Sequence, residues 1–111
     1  MNQLLRLGGG GCDIDAVIAA SDLIAIGVLR ALRNAGVDVP SDIAVVGFGD
    51  FPMAAALAPA VTVVDQDPAG LGRIAVERLL QRIEDPQAQP RRRTVLPVHL
   101  IPRGSGELPP A

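Results

Sequence analysis

An α/β fold, a parallel sheet with flanking helices, follows from three features of this 111-residue sequence. Short apolar runs recur at residues 16–20, 43–48 and 61–64, each too brief for a helix and two of them rich in β-branched residues. Longer stretches with helical spacing follow the first and third runs, and this alternation predicts parallel strands joined by right-handed crossovers. The second run breaks at Gly47-Phe48-Gly49-Asp50. Such glycine-rich breaks at the carboxyl ends of parallel strands are where open α/β sheets hold ligands.

Along the chain, Gly8-Gly9-Gly10-Gly11 is a flexible break ahead of the first strand, residues 16–20. A dinucleotide-binding glycine loop would have to follow a strand, and this one precedes it. Ser21 and Asp22 offer capping oxygens for a helix reaching to about Ala35. Leu23, Ile24, Ile26, Val28, Leu29 and Leu32 surround nearly all of that helix, leaving Arg30 and Arg33 as its main polar face. A helix so apolar is buried on more than one side: one side covers the sheet, the other needs a second domain or subunit.

The second strand, 43–48, follows an Asn34-Ala35-Gly36 stop and a Pro40-Ser41-Asp42 turn. Residues 51–59 read as a short apolar turn of helix bounded by prolines, and 61–64 as a third strand. Asp65-Gln66-Asp67-Pro68 leads into a second helix, about 69–84, with Leu71, Ile74, Ala75, Leu79 and Ile83 on one face. A Pro- and Gln-rich loop precedes Arg91-Arg92-Arg93 and a last extended stretch, 94–102. The three arginines read as a solvated strand edge.

Composition narrows the function. Two Phe, no Trp and no Tyr predict an aliphatic core. A net charge of −2, with no basic stripe, argues against direct nucleic-acid contact. The single cysteine, Cys12, excludes an internal disulfide and a multi-cysteine metal site. No apolar run reaches the ~18 residues of a membrane span, and the N-terminus has no secretory signal pattern, so a cytoplasmic location is expected. Catalysis is not expected. His99 has no nucleophile or carboxylate at a catalytic spacing, and Gly104-Ser105-Gly106 lacks the flanking positions of a hydrolase elbow. Pro52 stands where a dinucleotide fingerprint needs its third glycine, and proline has no amide N–H to give a phosphate. No cofactor and no metal are expected.

Residues 37–54, V-D-V-P-S-D-I-A-V-V-G-F-G-D-F-P-M-A, closely resemble the effector-binding domain of LacI/GalR-type transcriptional regulators, where "V-P-x-D-[IV]-x-V-[VI]-G-F/Y-D" precedes the sugar pocket. Residues 15–27 resemble that family's "D-A-[IV]-x-x-x-[NS]-D-x-x-A-x-G", residues 59–64 its "P-x-L-T-T-V", and 100–105 its closing "L-x-x-R-x-S". Gly70-Leu71-Gly72 and the helix after it also fit, and the likeness runs in unbroken order from about Asp13 to Ser105.

The resemblance implies a partial periplasmic-binding-protein-like (type I) fold: a flexible segment 1–12, a partial effector-binding domain 13–106 and a disordered tail 107–111. It implies the C-terminal part of the effector-sensing domain of a sugar- or sugar-acid-responsive regulator, looking truncated and lacking the helix-turn-helix and the first lobe. The alternative is a fragment of a sugar-binding protein of an uptake system. DNA would be reached only through the absent N-terminal domain, and no membrane contact is implied. The implied effector contacts are Ser21, Asp22, Asp50 and Gln66. Ser21 also serves as a helix cap, and the Gln66 amide either touches ligand or bridges backbone groups. Where the family has Gly-Phe-Asp-Asp, this chain has Gly47-Phe48-Gly49-Asp50, a variant resembling the gluconate-operon repressor branch. One carboxylate fewer suits an anionic effector, since a carboxylate facing a sugar acid repels it. The region of Met53, Ala55 and Leu57 implies a homodimer interface. In the resembled family the second helix packs on the first lobe's sheet, so here it is expected to be displaced or weakly packed, whereas residues 15–64 should look family-like.

Overall fold

The computed structural model describes residues 14–87 and 93–107. The glycine run, Cys12, Arg91, Arg92 and the last four residues lie outside them. The described elements are β1 (Ala16–Ala19), α1 (Asp22–Asn34), β2 (Ala44–Phe48), β3 (Thr62–Asp65), α2 (Pro68–Glu84) and β4 (His99–Ile101). The strands form one sheet in the order β1-β2-β3-β4. β1, β2 and β3 are parallel neighbours, with Ile18 opposite Val46 and Val46 opposite Thr62.

α1 covers one face of this sheet. Ser21 caps it by accepting from the Ile24 N–H at 3.4 Å, and its last turn closes where the Val37 N–H donates to the Leu32 carbonyl at 2.9 Å. Its inner side supplies the fully buried Ala25 and Leu32. Leu32 packs with Ile43 and Val45, while Ala25 packs with Ala19, Phe51, Ala54, Val61 and Val63. The core is thus aliphatic apart from Phe51, as the composition requires. The outer side of α1 stays in water, with Leu23 77% and Ile24 51% exposed.

Residues 51–59 form the short apolar turn expected: the Leu57 N–H donates to the Met53 carbonyl four residues back at 3.1 Å, beside three-residue turns from Ala54 to Phe51 and from Ala56 to Met53. Pro52 and Pro59 hem in the segment, so it goes no further than that turn. Two expectations change. The final extended stretch is a strand only at His99–Ile101, the part that faces β3, with Pro97 and Pro102 at its ends. That strand is also antiparallel to β3, with Leu100 opposite Val64 and His99 opposite Asp65. The sheet is therefore mostly parallel. Since α2 does not lie back across the sheet, the chain re-enters at the carboxyl end of β3 and runs down its free edge.

α2 is well formed locally. Asp67 caps it through the Gly70 N–H at 3.2 Å, and Pro68 occupies the first turn, where its missing N–H costs nothing. Yet it buries none of its residues, and Leu71, Leu79 and Ile83 are exposed. The expected weak packing of this helix is what the structure has.

The end of the described chain is locked in. The buried Ser105 hydroxyl donates to the Val45 carbonyl at 2.6 Å and accepts from the Thr62 N–H at 2.8 Å, joining the amino ends of β2 and β3. The Ser105 carbonyl accepts from Val45 N–H at 2.7 Å. The Thr62 hydroxyl accepts from the N–H groups of Arg103, Gly104 and Gly106 and donates to Glu107. Gly106 is required here, because a Cβ would stand 2.7 Å from Val46 Cγ2. Glu107, the first residue of the tail read from sequence, is thereby tied to the sheet.

Candidate functional site

Three parallel strands end side by side, and the residues just past those ends form one edge of the sheet. β1 delivers Ser21, β2 delivers Gly49 and β3 delivers Gln66. This is where a doubly wound sheet holds ligand, because helix N-termini and freed strand ends supply unpaired polar groups there.

Ser21 is half-buried and its oxygen is committed only loosely, at 3.4 Å, to the cap of α1. A hydroxyl in that position keeps its proton for another acceptor. Asp22 is exposed and its Oδ1 accepts from the Leu23 N–H at 2.8 Å. Gly49 adopts φ of +92°, a conformation that side chains resist, and its N–H donates to the Val64 carbonyl at 2.8 Å. A Cβ at Gly49 would lie 3.6 Å from Gln66 Nε2, an ordinary contact distance, so the Gln66 amide sits directly beside Gly49 and it is the positive φ that calls for glycine. Phe48, 40% exposed, is the only aromatic side chain beside this edge among the described residues.

Asp50 is placed differently. Both its oxygens accept from Arg103, Oδ1 from Nη1 at 2.8 Å and Oδ2 from Nη2 at 3.0 Å, and Oδ1 also takes the Phe51 N–H at 2.9 Å. Arg103 donates as well to the Val61 carbonyl at 3.1 Å. The Arg103 hydrogen bonds hold the Asp50 carboxyl below its ordinary range, against the opposing effect of burial, with the Phe51 N–H adding to the lowering. Asp50 in turn raises Arg103 further above its ordinary value. The pair ties the exit of β2 to β4 and neutralises the one carboxylate next to Gly49. Sequence reasoning singled out both residues, Arg103 only as a letter in the closing motif, but not their partnership. Their separation of 53 positions leaves no local signal.

Met53, Ala55 and Leu57 lie together on the 51–59 connection, away from the carboxyl edge. Met53 and Ala55 are exposed, whereas Leu57 is half-buried against the core around Ala25 and Val61. Hollows flank this connection, one lined by Asp50, Phe51, Pro52, Ala55 and Arg103, another between it and α1. The carboxyl edge itself is an open wall. His99 is exposed opposite Asp65. Among the described residues no cluster of His, Cys, Asp or Glu is arranged to hold a metal, and no helix is long and apolar enough to cross a membrane.

Comparison with known proteins places this geometry. Residues 10–106 match the periplasmic binding protein-like domain family. The HTH-type transcriptional regulator MalR of Streptomyces coelicolor is 42% identical over 95 residues, covering 86% of this chain and 27% of the regulator. A lactose operon repressor sequence of Rhizobium radiobacter is 37% identical over 97 residues, covering 87% of this chain and 84% of that sequence. The solved complex of the transcriptional regulator CelR with cellobiose superposes with a TM-score of 0.82 at 41% identity, covering 95% of this chain and 31% of that one. The chain thus spans about a quarter of the length of regulators such as MalR, and the relatives are regulators rather than enzymes.

Proposed function

Because this chain belongs to the periplasmic binding protein-like domain family carried by LacI-type transcriptional regulators, we propose that it forms one wall of the effector crevice of a sugar- or sugar-acid-responsive regulator. The observation that carries the reading is the convergence of Ser21, Gly49 and Gln66 on the carboxyl edge of three parallel strands. The Ser21 hydroxyl and the Gln66 amide meet effector hydroxyls, and residues 13–106 are the domain fragment. Asp22 flanks the contact. Asp50 serves it from behind, through Arg103, with its outward charge neutralised.

A sugar acid of the kind read by the gluconate-operon branch suits this wall best. Gly49 presents no carboxylate and Asp50 is paired, so little negative charge faces an incoming anion. The role proposed is binding, in keeping with relatives that are transcriptional regulators. The matched relatives favour a cytoplasmic regulator over the uptake-protein alternative, and operator contact belongs to parts of the regulator outside this chain. The exposed faces of Met53 and Ala55, with Leu57 beneath, serve a homodimer, and the bare face of α2 docks on the first lobe.

Heteronuclear NMR of the chain titrated with gluconate, ribose and cellobiose tests the reading. The expected result is weak binding, of millimolar order or poorer because one wall supplies only part of the polar contacts. Shifts should be confined to Ser21, Phe48, Gly49 and Gln66, with gluconate the strongest. Shifts centred elsewhere, or no response to any of the three, would remove it.

A further inference from the structure

Among the described residues the sheet has two free edges, β1 and β4, and they are not alike. β4 is three residues long and lies between Pro97 and Pro102, which hinder the addition of another strand. β1 carries no proline and no charged side chain. It pairs with β2 residue for residue from Ala16 to Ala19, without a bulge to twist its edge away. One hydrogen bond fixes where its backbone groups point. The Asp15 carbonyl accepts from the Ala44 N–H at 2.9 Å, so Asp15, Val17 and Ala19 turn their polar groups toward β2. Because successive residues of a strand alternate, Ala16, Ile18 and Ala20 turn theirs outward. The Ile18 side chain is 76% exposed, on the sheet face opposite α1 and beside Val46.

A row of outward N–H and C=O groups is matched by another extended backbone, and β1 itself has the groups to match it. In an antiparallel two-fold contact Ile18 can stand opposite Ile18 of the partner subunit, with Ala16 opposite Ala20 of the partner subunit. Each of these pairs exchanges hydrogen bonds through outward groups alone. Asp15 then stands opposite Ser21 of the partner subunit, a hydroxyl rather than a second carboxylate, and Ser21 is still extended at φ −154° and ψ 169°. Centring the contact on Val17 would instead set Ile18 against Ala16 and forgo the apolar contact between the two Ile18 side chains.

We infer that the free edge of β1 pairs with the β1 edge of a second copy of this chain, antiparallel and centred on Ile18, joining two four-stranded sheets into one. The contact uses none of Met53, Ala55 and Leu57 and rests on neither the effector nor the homodimer reading above. The 111-residue chain carrying A55D, which places a charge on the exposed part of that other surface, isolates it. Sedimentation equilibrium gives the association constant, and hydrogen exchange at low and high concentration shows where the contact lies. As the dimer forms, the Ile18 amide should slow by about tenfold or more. The Val17 amide, turned toward β2, should be protected at both concentrations and reports that the sheet is intact. A16P removes an outward N–H and no bond to β2, and I18K places a charge on the edge. Each should weaken association by about tenfold or more with Val17 still protected. A dimer whose Ile18 amide exchanges as fast as in the monomer overturns the inference. So does an association constant that neither variant moves, or a chain that stays monomeric across the accessible concentration range.

Discussion

α1 and α2 are written in the same hydrophobic code, yet Leu32 of α1 is wholly inaccessible to solvent while Ile83 of α2 is 64% exposed. Both helices are capped by a side-chain oxygen, Ser21 in one and Asp67 in the other. Their difference is tertiary. α1 is followed by a strand that pairs in parallel beside β1, so the crossover lays the helix on the sheet. α2 is followed by a strand that re-enters at the carboxyl end of β3 and runs antiparallel to it, so no crossover lays the helix on the sheet. Burying the large apolar residues of its face would be worth roughly 6–12 kcal/mol, comparable to the whole stability of many domains. A face of that worth left in water suits the docking role proposed above, and this chain spans about a quarter of the length of regulators such as MalR.

Substitutions in the two regions sharpen the contrast. Leu32→Ala should have the largest effect, about 2–5 kcal/mol from lost burial and a residual cavity, read from the urea midpoint. Next comes Ser105→Ala. It strips the Thr62 N–H and the Val45 carbonyl of a buried partner and should cost about 1–3 kcal/mol by the same measurement.

How much of this was legible in the sequence divides along the same line. β1, α1, β2 and β3 were readable to within a residue or so because their periodicity, caps and turn residues are local. The carboxyl edge was readable too, since strand ends at Ser21, Gly49 and Gln66 follow from those boundaries. The antiparallel β4 was not, because its direction depends on where α2 goes. Nor was the Asp50–Arg103 pair, or the bridge of Ser105 between β2 and β3, since these join residues 43 to 60 positions apart. The Arg-x-Ser motif marked those residues without indicating what they touch.

Asp50→Asn should have a smaller effect, up to about 1 kcal/mol, because the pair is partly exposed and screened by solvent. Its pH dependence carries the signature. The Arg103 guanidinium holds the Asp50 carboxyl below its ordinary value of 3.8, so the pair's stabilisation is complete above that value and is lost as pH falls through the lower, folded-state pKa. Wild type and Asn variant should therefore converge in stability in acid below pH 3.8 and separate above it. The smallest effect belongs to α2. Leu79→Ala should change the urea midpoint by less than about 0.5 kcal/mol, since its side chain is already in water. A loss there matching Leu32→Ala would erase the contrast between the two helices.

Hydrogen exchange of the isolated chain reports most directly on whether α2 is a docking element awaiting a partner. Amides of Pro68–Glu84 should exchange through fraying, far faster than those of Ala44–Phe48, which should open only with global unfolding. Protection in α2 equal to that in β2, in a chain shown to be monomeric, would contradict the account.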